Sequence, residues 1–202
     1  MKPKDYRARL SADEFDSIPG DEEYPIDGYY ETLIEGNTKF QGIWEQFQRG
    51  YEDIRLIRQL TKGQQLLILL GVFDGQVANG GITQFFWNYP EYFFEVRDAI
   101  ERLGDVKVLK NYEKALEALV GRQDRWLELR KEWVESCENP CWETFQQTHE
   151  LLDVGWFDEA YFDACRYNEK EEWVKLKQGL RFPFLKELAA YVKSHRAEFI
   201  EG

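Results

Sequence analysis

Two histidines, three cysteines and four serines are the groups this chain offers for metal or nucleophilic chemistry. His149 and His195 lie far apart with no second ligand at metal spacing, and the spacing of Cys137, Cys141 and Cys165 matches no common zinc pattern. An odd number of cysteines also fits reduced, buried thiols better than a disulfide framework. Ser11, Ser17, Ser136 and Ser194 sit in no elbow-like turn that would expose a nucleophile beside a base. Neither a phosphate-binding loop nor a dinucleotide fingerprint occurs, since the glycines of residues 71–81 fall within and at the end of a helical pattern rather than after a strand. The expectation is a protein that is not an enzyme and holds neither metal nor cofactor.

What remains is carboxylate. Paired acids can do acid–base work across a cleft, but 38 Asp and Glu residues make any one pair uninformative. Their distribution says more. Residues 11–35 contain Asp13, Glu14, Asp16, Asp21, Glu22, Glu23, Asp27, Glu31 and Glu35 with no Lys or Arg, and residues 132–165 contain Glu132, Glu135, Glu138, Glu143, Glu150, Asp153, Asp158, Glu159 and Asp163, again with none. The rest of the chain is net positive, although the total is -12 with a pI near 4.8. Such a balance argues against a nucleic-acid or anionic-membrane surface, which needs clustered Lys and Arg. Blocks of one sign repel themselves, so a fold that keeps them either tolerates a small cost or offers the field to a cationic partner. Trp142, Phe145, Leu151, Leu152, Trp156, Phe157, Tyr161 and Phe162 are interleaved with the second block, which places its acids on ordered helices.

The elements that would position these acids are helical, and 202 residues that are 43% hydrophobic suit one domain, 1–202, with one core. Ser11 and Glu14 read as a capping box for a short first helix, and Pro19, Gly20 and Pro25 then break it. Phe40, Ile43, Trp44, Phe47, Tyr51 and Ile54 form a helical stripe. Residues 64–79 are apolar around much of the circumference and are expected to stop at Gly80 and Gly81 through a left-handed cap, with an aromatic turn over 83–88. Pro90 opens the next helix, Gly104 ends it, and Asp105 caps another with Leu109, Tyr112, Leu116 and Leu119 inward. Over residues 122–137, Trp126, Leu129, Trp133 and Cys137 share one face while Asp124, Glu128, Glu132 and Glu135 share the opposite one. Pro140, Gly155 and Pro183 mark later breaks, and Leu185, Leu188, Ala189, Val192 and Phe199 stripe the last helix. No period-2 strand, internal repeat, leader segment or run of about 18 uninterrupted apolar residues appears. The expected fold is an all-α, irregular multi-helix bundle in the cytoplasm.

Residues 77–88 contain Asn79, Gly80, Gly81, Gln84, Phe85, Phe86 and Asn88 at the spacing N-G-G-x-x-Q-[FY]-[FY]-x-N. That run resembles the signature of the acidic DNA-mimic protein family, and the resemblance extends over residues 40–120, including Ala99, Ile100 and the glycine at 104. It implies an all-helical homodimer whose carboxylates are bound by a helix-turn-helix transcription factor in place of its operator. The signature itself reads as structural: Asn79 and Gln84 satisfy backbone groups around the glycine cap, and Phe85, Phe86 and Trp87 fill the core. The mimic surface is therefore expected in the two acid-rich blocks and on the carboxylate face leading into the second, at Asp13, Glu14, Asp16, Asp21, Glu22, Glu23, Glu128, Glu132, Glu135, Glu138, Glu143, Glu150, Asp153, Asp158, Glu159 and Asp163, converging into one rigid strip. Two alternatives stay open: an immunity or antitoxin-like module for a basic partner, and a carboxylate-dependent enzyme.

Overall fold

The computed structural model describes residues 11–17, 54–135, 142–162 and 185–200. In chain order these form α1 (Ala12–Ser17), α2 (Ile54–Ile57), α3 (Lys62–Asn88), a 3-10 turn (Pro90–Tyr92), α4 (Phe93–Leu103), α5 (Val106–Val120), α6 (Gln123–Glu135), α7 (Trp142–Leu152), α8 (Gly155–Phe162), α9 (Leu185–Ser194) and a final 3-10 turn (Arg196–Glu198). No strand occurs among the described residues, and the all-α multi-helix bundle is the observed architecture. The helical stripe from Phe40 to Tyr51, the breaks at Pro19, Pro25, Pro140 and Pro183, and Cys137 lie outside them.

The whole arrangement is organised by α3. Thr61 starts it with a capping box, its hydroxyl accepting from the Gln64 N–H while Gln64 Oε1 accepts from the Thr61 N–H. Leu66, Leu67, Ile68, Leu69, Leu70, Val72, Phe73 and Val77 are all buried, so α3 is apolar on nearly every side because it has neighbours on nearly every side. By length and composition α3 also passes for a membrane span, with 61% of its most apolar window buried in the protein. Phe73 is the hub of the aromatic core. Its ring meets Phe85, Tyr112, Tyr161 and Phe157 edge-on, at centroid separations of 5.0, 5.4, 5.7 and 6.2 Å, the geometry the ring quadrupole favours.

Chain punctuation behaves as its chemistry dictates in the middle of the molecule. Pro90 sits at the first position of its 3-10 turn, Gly104 takes the left-handed cap of α4 at φ 85°, and the Asp105 carboxylate accepts from the Val108 N–H at 2.9 Å to start α5. The inward stripe of α5 is Val108, Tyr112, Ala115 and Leu119, with Leu109 and Leu116 only partly buried beside it. At the end of the chain Phe199 is buried, but it follows the helix rather than belonging to it: α9 ends at Ser194, and the 3-10 turn brings the Phe199 ring to 6.2 Å from that of Phe15 on α1.

Residues 80 and 81 do not stop α3. Helical structure resumes at Ile82 and runs to Asn88, so the expected aromatic turn over 83–88 is a second length of helix joined through a kink. Gly81 has φ 76° and ψ 176°, a region open to glycine and not to residues with a Cβ; it is not the left-handed cap that ends α4.

Candidate protein-interaction surface

The kink leaves the new helical length 82–88 with backbone N–H groups that have no partner in the preceding turn. One of them finds a carboxylate from the far end of the chain: Ile82 N–H donates to Asp158 Oδ1 at 2.8 Å. A Cβ on Gly81 would stand 2.3 Å from Asp158 Oδ2, so the glycine is required twice, for its φ and for its lack of a side chain. Burial pushes the Asp158 carboxyl above the usual carboxylate range, with the Ile82 N–H opposing that rise. Three residues further along α8, the Tyr161 hydroxyl donates to Asp74 Oδ1 at 2.7 Å, both groups buried. The two contacts clamp α8 to α3 on either side of the kink.

The polar residues of the signature act differently from the expectation. Gln84 Nε2 and Asn88 Nδ2 both donate to Gln76 Oε1, at 3.1 and 2.7 Å, bracing the kink with side chains rather than satisfying backbone groups. Asn79 is exposed. Phe85, Phe86 and Trp87 are buried, as a core role requires.

Beyond the kink, Trp87 carries the second acidic region. Its ring packs edge-on against Trp133 of α6 at 5.7 Å and Phe145 of α7 at 5.6 Å, and Arg130 Nε donates to the Trp87 carbonyl at 3.2 Å, a cation at a helix C-terminus. Trp133 meets Phe145 at the last turn of α6 and the first of α7, and Arg122 donates to the Leu151 carbonyl at the other end. The two helices therefore run antiparallel as a hairpin.

Asp124, Glu128 and Glu132 are exposed along α6 at four-residue intervals, hence about 6 Å apart along the axis. Arg125 is interposed on this row, 3.0 Å from Glu128 and 3.6 Å from Glu132. It was overlooked in sequence because the basic-free block begins only at 132. Glu143 and Glu150 are exposed on α7, Asp153 on the turn after it at φ 48°, and Glu159 on α8. Asp158 is a correction to the candidate surface: it is partly buried and engaged with Ile82, a structural group counted as a surface acid because its neighbours are acidic. For Glu14 and Glu135 only the helical backbone is described; Asp21, Glu22, Glu23, Glu138 and Asp163 lie outside the described residues.

Of the first acid block only residues 11–17 are described, and their acids lie apart from those of the hairpin. Asp13 and Asp16 are exposed on α1, with Asp16 held 2.6 Å from Arg196. That region sits at the start of α3, where Thr61 Oγ1 donates to the Glu198 carbonyl at 2.7 Å and the Gly63 N–H donates to the Glu198 carboxylate. The α6–α7 hairpin hangs from the opposite end, beyond a first helical length that alone spans about 27 Å at 1.5 Å per residue. Among the described residues the α1 acids and the hairpin acids therefore stand on separate surfaces, and the row is carried by the hairpin and α8; the rest of the expected strip lies outside the described residues.

These features define an acidic all-α protein in which a kinked central helix presents a charged helical hairpin. The profile of the DMP19-like protein family matches residues 58–195, well over half of the sequence, and the chain belongs to that DNA-mimic family. No curated protein and no solved structure matches it. The matched region starts later than residue 40 and extends past residue 120; it includes the hairpin and α8 and leaves out residues 11–35.

Proposed function

We propose that this protein is a DNA mimic that offers the carboxylates of α6, α7 and α8 to a helix-turn-helix transcription factor and keeps that factor off its operator. The observation that carries the reading is the exposed row Asp124, Glu128 and Glu132 on a hairpin that also exposes Glu143 and Glu150, all inside the matched family region. Steps of about 6 Å along α6 sample roughly every second phosphate of a duplex strand, whose axial repeat is about 3.4 Å. The Trp87, Trp133 and Phe145 rings make the presenting helices stiff, so charge is held in place before the partner arrives. Arg125 is half-exposed, and releasing its two carboxylates to a partner costs at most about 1 kcal/mol. Recognition of this kind copies backbone charge and leaves base identity unread. The protein acts as a cytoplasmic homodimer and catalyses nothing.

The test is an operator gel shift with purified helix-turn-helix regulators from the same genome. Excess protein releases at least one regulator from its operator at low salt, and Glu128→Gln with Glu132→Gln and Glu143→Gln weakens that release. Operator complexes that all survive excess protein would falsify the reading.

A further inference from the structure

The acidic hairpin also carries apolar surface that no phosphate backbone possesses. Trp142, at the first position of α7, is 66% exposed, and Leu127 on α6 is 54% exposed. Trp142 is held rather than dangling: its ring lies 5.1 Å from Phe145, which packs on the buried Trp87. A relay of rings thus runs from the core and reaches the surface at Trp142. At 100° per residue Trp142, Gln146, Glu150 and Glu143 fall within one exposed arc of about 100° on α7. A rigid tryptophan beside charged groups has the make-up of an interface anchor, since such rings bring large contact area at low entropic cost.

We infer, resting on the reading that this hairpin receives a DNA-binding protein, that Trp142 is an anchoring residue which enters an apolar cleft of an amphipathic, Lys- and Arg-rich helix. The carboxylates of the same face select a cationic occupant by charge complementarity, and the indole selects one whose cations border apolar side chains. Binding then has two components: carboxylate contacts that salt weakens, and indole burial that salt leaves nearly untouched.

The full-length protein is titrated with two labelled synthetic peptides of equal length and charge, one an amphipathic Lys/Leu helix and the other a Lys/Ser chain, at about 50 mM and about 200 mM salt. The parent binds the Lys/Leu peptide about tenfold more tightly or better, and the preference is kept at the higher salt while both affinities fall. Trp142→Ala removes the preference and leaves the Lys/Ser affinity unchanged, while Trp142→Phe, which keeps a ring against Phe145, retains part of it; both variants unfold thermally like the parent. A Trp142→Ala protein that still prefers the Lys/Leu peptide as the parent does overturns the anchor. Glu143→Gln with Glu150→Gln lowers affinity for both peptides; if it changes neither, the acidic surface itself fails, an outcome separate from failure of the anchor.

Discussion

Replacing Gly81 by alanine concentrates the physics of this fold in one methyl group. The backbone conformation at φ 76° and ψ 176° is essentially reserved for glycine, and holding alanine there costs roughly 1–3 kcal/mol. The added Cβ would also meet Asp158 Oδ2 at 2.3 Å and Cγ at 2.9 Å. Asp158 cannot yield by rotating freely, because its other oxygen receives the Ile82 N–H at 2.8 Å; moving it leaves that donor unpaired for about a further 1–3 kcal/mol. The combined loss is about 2–6 kcal/mol, a large part of the 5–15 kcal/mol typical of a folded domain. Urea unfolding followed by circular dichroism measures it as a lowered midpoint at unchanged slope. A cycle with Asp158→Ala separates the two causes: the backbone cost persists in the double variant while the collision disappears, so the losses are less than additive by about 1–2 kcal/mol. A Gly81→Ala protein within about 0.5 kcal/mol of the parent refutes the argument, since no forced φ and no collision would then exist.

Other consequences are open to direct measurement. Because the Asp158 carboxyl is raised above its unfolded value, its contribution to stability is complete below the usual carboxylate range and is lost as pH rises through the native value. Asp158→Asn keeps an oxygen for Ile82 and removes the ionisation, so relative to the parent the variant gains stability as pH rises above the usual carboxylate range; parallel urea curves measured at about pH 4 and about pH 7 contradict this. Tyr161→Phe deletes the hydroxyl that Asp74 Oδ1 receives in the core and lowers unfolding free energy by about 1.5–3 kcal/mol, read from the same denaturant assay. Gln76→Ala removes the acceptor shared by Gln84 and Asn88 at a partly exposed site; thermal melts register a loss of about 1 kcal/mol, and no loss means the brace carries nothing.

How much of this was legible in the sequence depended on whether the cause was local. Pro90, Gly104 and Asp105 announce their elements because turn geometry and capping are settled within a few residues, and the two faces of α6 follow from helical period alone. Gly80 and Gly81 were read as a stop because a glycine pair ending an apolar run looks the same whether the chain leaves the helix or bends and resumes it. The resumption depends on Asp158, 76 residues from Ile82, and no local rule supplies that acceptor. Asp158 was hidden for the converse reason: in an acid-rich block, composition cannot separate one capping carboxylate from its solvated neighbours. The same limit hides the separation of the α1 acids from those of the hairpin, since charge along a chain carries no information about which end of a long helix each segment packs against. Gln76 went unnoticed because a lone polar residue on a helix has no sequence sign of the partners that fold back onto it.

The joint at Gly81 also governs bearing. The hairpin is mounted on the stretch 82–88, past the bend, so the direction in which its acids look out from the body of the molecule follows from one backbone torsion and the aspartate wedged against it. Relatives that retained every carboxylate but reshaped this joint would aim an identical charge pattern elsewhere.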